Sequence, residues 1–165
     1  MRKVLICCGK ICSGKTTFCK KIEKDHGVFV FNADEWMLHF FGESPDCTVF
    51  HEQLDKCITM IYSLAEKLLE LNFDVAFDFG FWTVKDRQIC LERFSKPGND
   101  VKIVYFPIED ERQLENLNKR QSGTVNNTFT FTEEKLKTFN AKFQEPEEDC
   151  IIYAEKFTMK DILPS

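Results

Sequence analysis

The chain has 165 residues, 43% hydrophobic and 30% charged, which suits one globular domain with a real core and excludes a disordered or membrane-embedded chain. A net charge of −5 argues against a long nucleic-acid backbone as the main partner, although a local basic funnel inside an acidic protein could still serve one. No apolar run approaches membrane-spanning length and Met1-Arg2-Lys3 leads into a short strand, so the sequence predicts a cytoplasmic protein with no membrane partner.

In chain order, Val4-Leu5-Ile6-Cys7-Cys8 is an apolar run of the buried-strand type. Directly behind it stands Gly9-Lys10-Ile11-Cys12-Ser13-Gly14-Lys15-Thr16, which fits G-x-x-x-x-G-K-[ST], the phosphate-binding loop between a strand and a helix. The glycines let the backbone curl with its N–H groups inward, Lys15 reaches the β- and γ-phosphates, and the Thr16 hydroxyl ligates Mg²⁺. The helix from Lys15 to about Glu23 aims its positive end at the same anion. The loop therefore predicts a nucleoside triphosphate, taken as ATP, with Mg²⁺.

Residues 28–31 form a second short strand, with Asn32-Ala33-Asp34-Glu35 at its carboxyl end. A short helix and a loop are expected over 36–50, and a 3.6-residue apolar period over 51–71 predicts the longest helix. A third strand over 73–79 carries Asp78, and Gly80-Phe81-Trp82-Thr83 turns into a helix over 84–94. A fourth strand spans 101–106, a helix follows over 110–120, and the polar stretch 121–131 reads as a loop. Thr132-Glu133-Glu134 opens a helix with Leu136, Phe139 and Phe143 inward, and 150–154 is a last strand. Strands alternating with helices mean βαβ units and a parallel sheet covered on both faces.

Ligands of such sheets bind outside the carboxyl ends of the strands, which gathers the loop after strand one, Asp34 after strand two and Asp78 after strand three. Phosphoryl transfer needs an anion cradle, a metal, cations and a base for the attacking hydroxyl. Asp34 is the candidate base, and capping of the following helix is the alternative role its position suits. Asp78 suits the magnesium shell or a substrate contact. Glu35 is a substrate contact or a solvated carboxylate. Trp36, Phe81 and Trp82 stack on a ring-bearing acceptor or else belong to the core, the commoner fate of aromatics in a chain with 17 phenylalanines. The eight cysteines show no C-x-x-C pair and read as free thiols, with Cys12 placed inside the loop itself.

Gly9–Thr17, Asp34-Glu35-Trp36, Asp78-Phe79-Gly80-Phe81-Trp82 with Asp86-Arg87, Lys119-Arg120 and Phe143-Gln144-Glu145-Pro146 together resemble the small P-loop kinases of the predicted AAA type. These have an adenylate-kinase-like core and stand near chloramphenicol phosphotransferases, zeta toxins and polynucleotide 5′-hydroxyl kinases. The resemblance implies one α/β domain over 1–165, a P-loop three-layer sandwich with a five-stranded parallel sheet, helices on both faces and a small lid at about 120–132. It implies nucleotide binding through Gly9 to Thr17, a catalytic role for Lys15, Asp34 and a lid arginine at Arg120, and an arginine near the substrate at Arg87. Met37 stands where many relatives carry a further arginine. The activity implied is transfer of the γ-phosphate of ATP to a hydroxyl of a small molecule. A polynucleotide or nucleotide 5′-hydroxyl acceptor, or an ATPase or switch module with no acceptor, stays open as an alternative.

Overall fold

The computed structural model describes residues 1–42, 47–122 and 132–152. Most of the expected lid, residues 123–131, lies outside the described residues. So do Tyr153 and Ala154, the end of the expected last strand.

The elements run β1 (Arg2–Cys8), α1 (Lys15–His26), β2 (Phe29–Asn32), α2 (Ala33–Phe41), α3 (Cys47–Glu70), β3 (Val75–Asp78), α4 (Val84–Phe94), β4 (Asn99–Tyr105), α5 (Asp110–Ser122), α6 (Glu133–Asn140) and β5 (Cys150–Ile152). The strands form one parallel sheet in the order β2-β3-β1-β4-β5. The chain leaves β1 toward β2 on one side and leaves β3 toward β4 on the other. The reversal opens a crevice at the carboxyl ends of β1 and β3.

Strand β1 is buried on both faces, so its side chains divide by the strand's period of two. Val4, Ile6 and Cys8 join Phe31, Phe77 and Ile103 under α3 and α4, which contribute Ile61, Tyr62, Ala65, Cys90 and Phe94. Leu5 and Cys7 join Ala76 and Val104 under Phe18, Cys19 and Ile22 of α1. The described cysteines Cys7, Cys8, Cys12, Cys19, Cys57 and Cys90 are free thiols, and those in the sheet act as small core residues.

Two elements differ from expectation near the site. Helix α2 begins at Ala33, directly on the end of β2, because the Asn32 side chain accepts the Glu35 N–H at 3.0 Å and caps it. Helix α6 stops at Asn140, so Phe143 lies past its end, its ring stacked 6.1 Å from Tyr105.

A buried arginine holds the chain after α6 against the sheet. Arg87 is fully buried; its guanidinium donates to both carboxylate oxygens of Glu148 (2.8 and 3.2 Å) and to the carbonyls of Phe81 (3.1 Å) and Gln144 (2.9 Å). The Glu148 carboxyl lies below its usual range; burial pushes it up, and the Arg87 hydrogen bond leads the opposing effects. Breaking a buried pair from one side leaves groups without partners. Arg87→Leu is therefore expected to cost about 3–5 kcal/mol of unfolding free energy, read as a lower urea midpoint at unchanged slope. A midpoint equal to wild type would contradict this role.

Candidate active site

The phosphate loop is shaped by close approach. A Cβ at Gly9 would lie 2.8 Å from the Phe106 carbonyl oxygen and 2.9 Å from Ser13 Oγ, so only glycine fits there. Gly14 takes φ +98° at the start of α1 and offers no side-chain cap. Helix α1 also has no acidic residue in its first turn, so its positive end is left for an anion. Lys15 lies within the curl and spends its three N–H donors on the carbonyls of Gly9 (2.9 Å) and Lys10 (2.7 Å) and on Ser13 Oγ (3.2 Å). Burial pushes its ammonium below the usual range, with Asp78 opposing.

Across the crevice, strand register sets the carboxylates. Asn32 and Asp78 are register partners at the ends of β2 and β3, so their side chains fall on the same face of the sheet. Asp78 Oδ2 accepts from Asn32 Nδ2 at 2.9 Å and from Thr16 Oγ1 at 2.7 Å. That hydroxyl–carboxylate pair fits a magnesium ion. Mg²⁺ takes one or two protein oxygens beside phosphate and water, and among the described residues no cluster of three His, Cys, Asp or Glu groups competes with it.

Asp34 is in the first turn of α2. Because Asn32 is the cap, the capping role considered for Asp34 falls away, and its side chain lies exposed within electrostatic reach of Asp78, Lys15 and Arg120. Water reaches it there, yet protein crowds it. Burial first, then the Asp78 charge, raises it from an ordinary 3.8 to about 6; Lys15 and Arg120 pull it down, and Glu35 adds to the rise. The structure thus brings Lys15, Thr16, Asp34, Asp78 and Arg120 to one cleft. Arg120, on α5, also reaches Cys12 Sγ at 3.9 Å. Thr17 is exposed in the first turn of α1.

The expected acceptor contacts divide. Glu35 and Trp36, with Leu38, His39 and Phe40, line a hollow of about 440 Å³ along α2. Phe81 is 5% exposed and stacks on Phe79, so its ring belongs to the core. Trp82 is half-buried against Phe139 of α6, with ring centres 4.9 Å apart. Arg87 is sealed into the wall by Glu148, which corrects the expectation of a substrate arginine. Met37, at the other arginine position, is also buried.

Sequence reasoning missed a row of side chains on α5. Lys10 Nζ pairs with Asp110 Oδ1 at 3.0 Å, Gln113 Nε2 donates to the Ile11 carbonyl at 2.8 Å, and Asn116 Nδ2 donates to the Cys12 carbonyl at 3.1 Å. Three consecutive loop residues are thus met by positions spaced three apart on one helix face. That spacing is the only signal in the sequence, and neutral amides give it little contrast.

A glycine-rich loop between β1 and α1, with a carboxylate at the end of the neighbouring strand, defines a P-loop nucleotide-binding protein of kinase-like architecture. The chain belongs to the AAA domain family, which matches residues 4–146. Comparison with curated proteins finds no match. Among solved structures, a chain of the Pnkp1/Rnl/Hen1 RNA repair complex superposes with a TM-score of 0.69 at 20% identity over 86% of this chain. The present chain spans only 43% of the length of that one. The APS kinase of Mycobacterium tuberculosis, in complex with AMPPNP and APS, gives 0.64 at 12% identity over 97% of this chain and 92% of that one. A gluconokinase from Sinorhizobium meliloti gives 0.63 at 13% identity over 98% and 89%. These likenesses establish the fold.

The raised Asp34 carboxyl has a cost with a defined sign. Its folded value is about 6 and its ordinary value 3.8, so above pH 6 the folded state holds a charge it disfavours, and below 3.8 the group is neutral in both states. Asp34→Asn is expected to raise the melting temperature at about pH 8, with the gain shrinking as the pH falls toward 4. A gain independent of pH would contradict this.

Proposed function

We propose that the protein is a Mg²⁺-dependent kinase that moves the γ-phosphoryl group of ATP to a hydroxyl of a small molecule. The observation that carries this reading is the placement of Asp34 in the first turn of α2, directly after β2 and within electrostatic reach of Lys15, Asp78 and Arg120, where its carboxyl is raised. A carboxylate tuned to about 6 is ionised near neutral pH and still a useful proton acceptor. An ATP-binding switch has no need of such a group.

In this reading the loop N–H groups and Lys15 hold the triphosphate, and Arg120 adds positive charge beside it. Thr16 and Asp78 would hold the magnesium ion, which supplies charge neutralisation at the β- and γ-phosphates. Asp34 orients the acceptor hydroxyl and takes its proton as the new O–P bond forms and the bond from the γ-phosphorus to the β-phosphate oxygen breaks, releasing ADP.

The acceptor side favours a neutral or cationic molecule with a ring. Among the described residues lining the hollow along α2 there is no Lys or Arg, while Glu35 brings negative charge and Trp36 and Phe40 bring rings. Arg87 is committed to Glu148, so it offers no clamp for an acceptor phosphate. This weighs against a polynucleotide or nucleotide 5′-hydroxyl acceptor.

A ³²P-transfer screen over antibiotics, sugars, nucleosides and 5′-hydroxyl oligonucleotides tests the reading. Asp34→Asn is expected to keep ATP binding and lose about 10²-fold or more in transfer. Lys15→Ala is expected to lose nucleotide binding. Full transfer by Asp34→Asn would remove the base, and unchanged ATP affinity in Lys15→Ala would remove the site. With an acceptor in hand, kcat/KM should fall with acid below about pH 6 in the wild type, following the Asp34 titration. A flat profile through that range would contradict the assignment.

A further inference from the structure

The phosphate loop carries a conformation that its own sequence does not favour. Cys12 is a non-glycine residue at φ +60°, in the left-handed region. Such positions are strained and persist where surrounding contacts over-determine them. Those contacts come from α5. Gln113 is fully buried, a rare placement for a glutamine, and neither the anion cradle nor the acceptor hollow includes it.

We propose that Gln113 is a positioning residue for the phosphate loop, locked in place by Asn140, so that one amide pair sets the loop and helix α6 together.

The chemistry of the contacts fixes which way both amides face. The Ile11 carbonyl can only accept, so the end of Gln113 that meets it at 2.8 Å must be the NH₂ group. Gln113 Oε1 then has to accept, and Asn140 Nδ2 donates to it at 2.7 Å. The second N–H of Gln113 turns to Asn140 Oδ1 at 3.2 Å, which closes a reciprocal pair. All the polar atoms of the buried side chain are satisfied, and no other orientation satisfies them. Because the peptide is planar, drawing the Ile11 carbonyl outward to α5 turns the Cys12 N–H the opposite way, toward the inside of the curl. Asn116 draws the Cys12 carbonyl to the same helix.

Asn140 brings a second wall into the same arrangement. It is the last residue of α6, whose Phe139 ring packs on Trp82. Just beyond, the Gln144 N–H donates to the Trp82 carbonyl at 2.8 Å, and Gln144 Oε1 accepts the Val84 N–H at 2.9 Å. The turn after β3 and the phosphate loop are therefore linked through α6 as well as by the direct bond from the Gly9 N–H to the Gly80 carbonyl at 3.0 Å. A shift of α6 would move Gln113, and with it the loop that holds the donor.

Mg·ADP affinity by titration calorimetry, in Gln113→Leu, Asn140→Ala and the double variant, tests the proposal. It rests on the loop being the nucleotide site, and Lys15→Ala measured alongside sets the scale. Gln113→Leu leaves the Ile11 carbonyl without its partner and is expected to weaken binding about tenfold at a temperature where the protein is folded. Asn140→Ala, which touches no loop atom, is expected to weaken it by a similar factor. The double variant should lose little more than the worse single one, since both act through the same contact. If Gln113→Leu does not fold, the half-buried Asn140 still gives the answer. Affinity within twofold of wild type in Asn140→Ala, or losses that multiply in the double variant, would overturn the coupling. A lower melting temperature with unchanged affinity would reduce both residues to structural ones. No loss in Lys15→Ala would instead overturn the reading of the loop itself.

Discussion

The hydrogen bond from Thr16 to Asp78 joins the helix that carries the phosphate loop to the strand that ends beside it. Most of the site depends on that join. Asp78 can reach Thr16 because β3 lies next to β1, with Ile6 opposite Phe77, so the two strands end at nearly the same level. The pairing of β3 with β2 puts Asn32 beside Asp78. Asn32 then performs two tasks with one amide: its nitrogen holds Asp78 and its oxygen caps α2. The second task starts α2 early enough for Asp34 to sit in its first turn rather than ahead of it. The phosphate loop and the Asp34 carboxyl are thus placed by one row of pairings across three strands.

Charge in the crevice is arranged at some expense to stability. Lys15 is buried and pushed toward neutrality, and Asp34 is pushed the same way from the other side. Each is relieved by its neighbours: Asp78 supports the Lys15 charge, and Lys15 and Arg120 support that of Asp34. Among the described residues, the other fully buried charge, Arg87, is matched by Glu148. A carboxyl left raised and reachable by water stands out against that pattern, and such groups concentrate at sites of chemistry.

The phosphate loop was legible because its signal is contiguous. Gly9 through Thr16 can be read in one window, and the strand before it and the helix after it follow from period and composition. Asp34 and Asp78 were legible through a rule about strand ends, which needs the order of elements but no contact map. Sequence could not choose between cap and base for Asp34, because Asn32 two residues earlier suits the cap equally well. Arg87 was located correctly on the helix after β3, yet its use depends on Glu148, 61 residues further on. Gln113 and Asn116 lie 102 and 104 residues from the carbonyls they hold. Uncharged amides at such separations leave no pattern in one sequence. Phe81 was left open for a related reason: an aromatic after a strand end can turn into the cleft or into the core, and its backbone at φ +49° with the ring stacked on Phe79 takes it inward.

In the proposed function, the triphosphate and the Asp34 carboxylate share one cleft. The most direct measurement is a crystal structure with Mg²⁺ and a non-hydrolysable ATP analogue. The expected result is the γ-phosphate on Lys15, a metal ion held by Thr16 and Asp78, and the Asp34 carboxylate facing the γ-phosphorus from the side opposite the β-phosphate, with room between them for a hydroxyl. A triphosphate seated in the loop with Asp34 turned away from its terminal phosphate would contradict it.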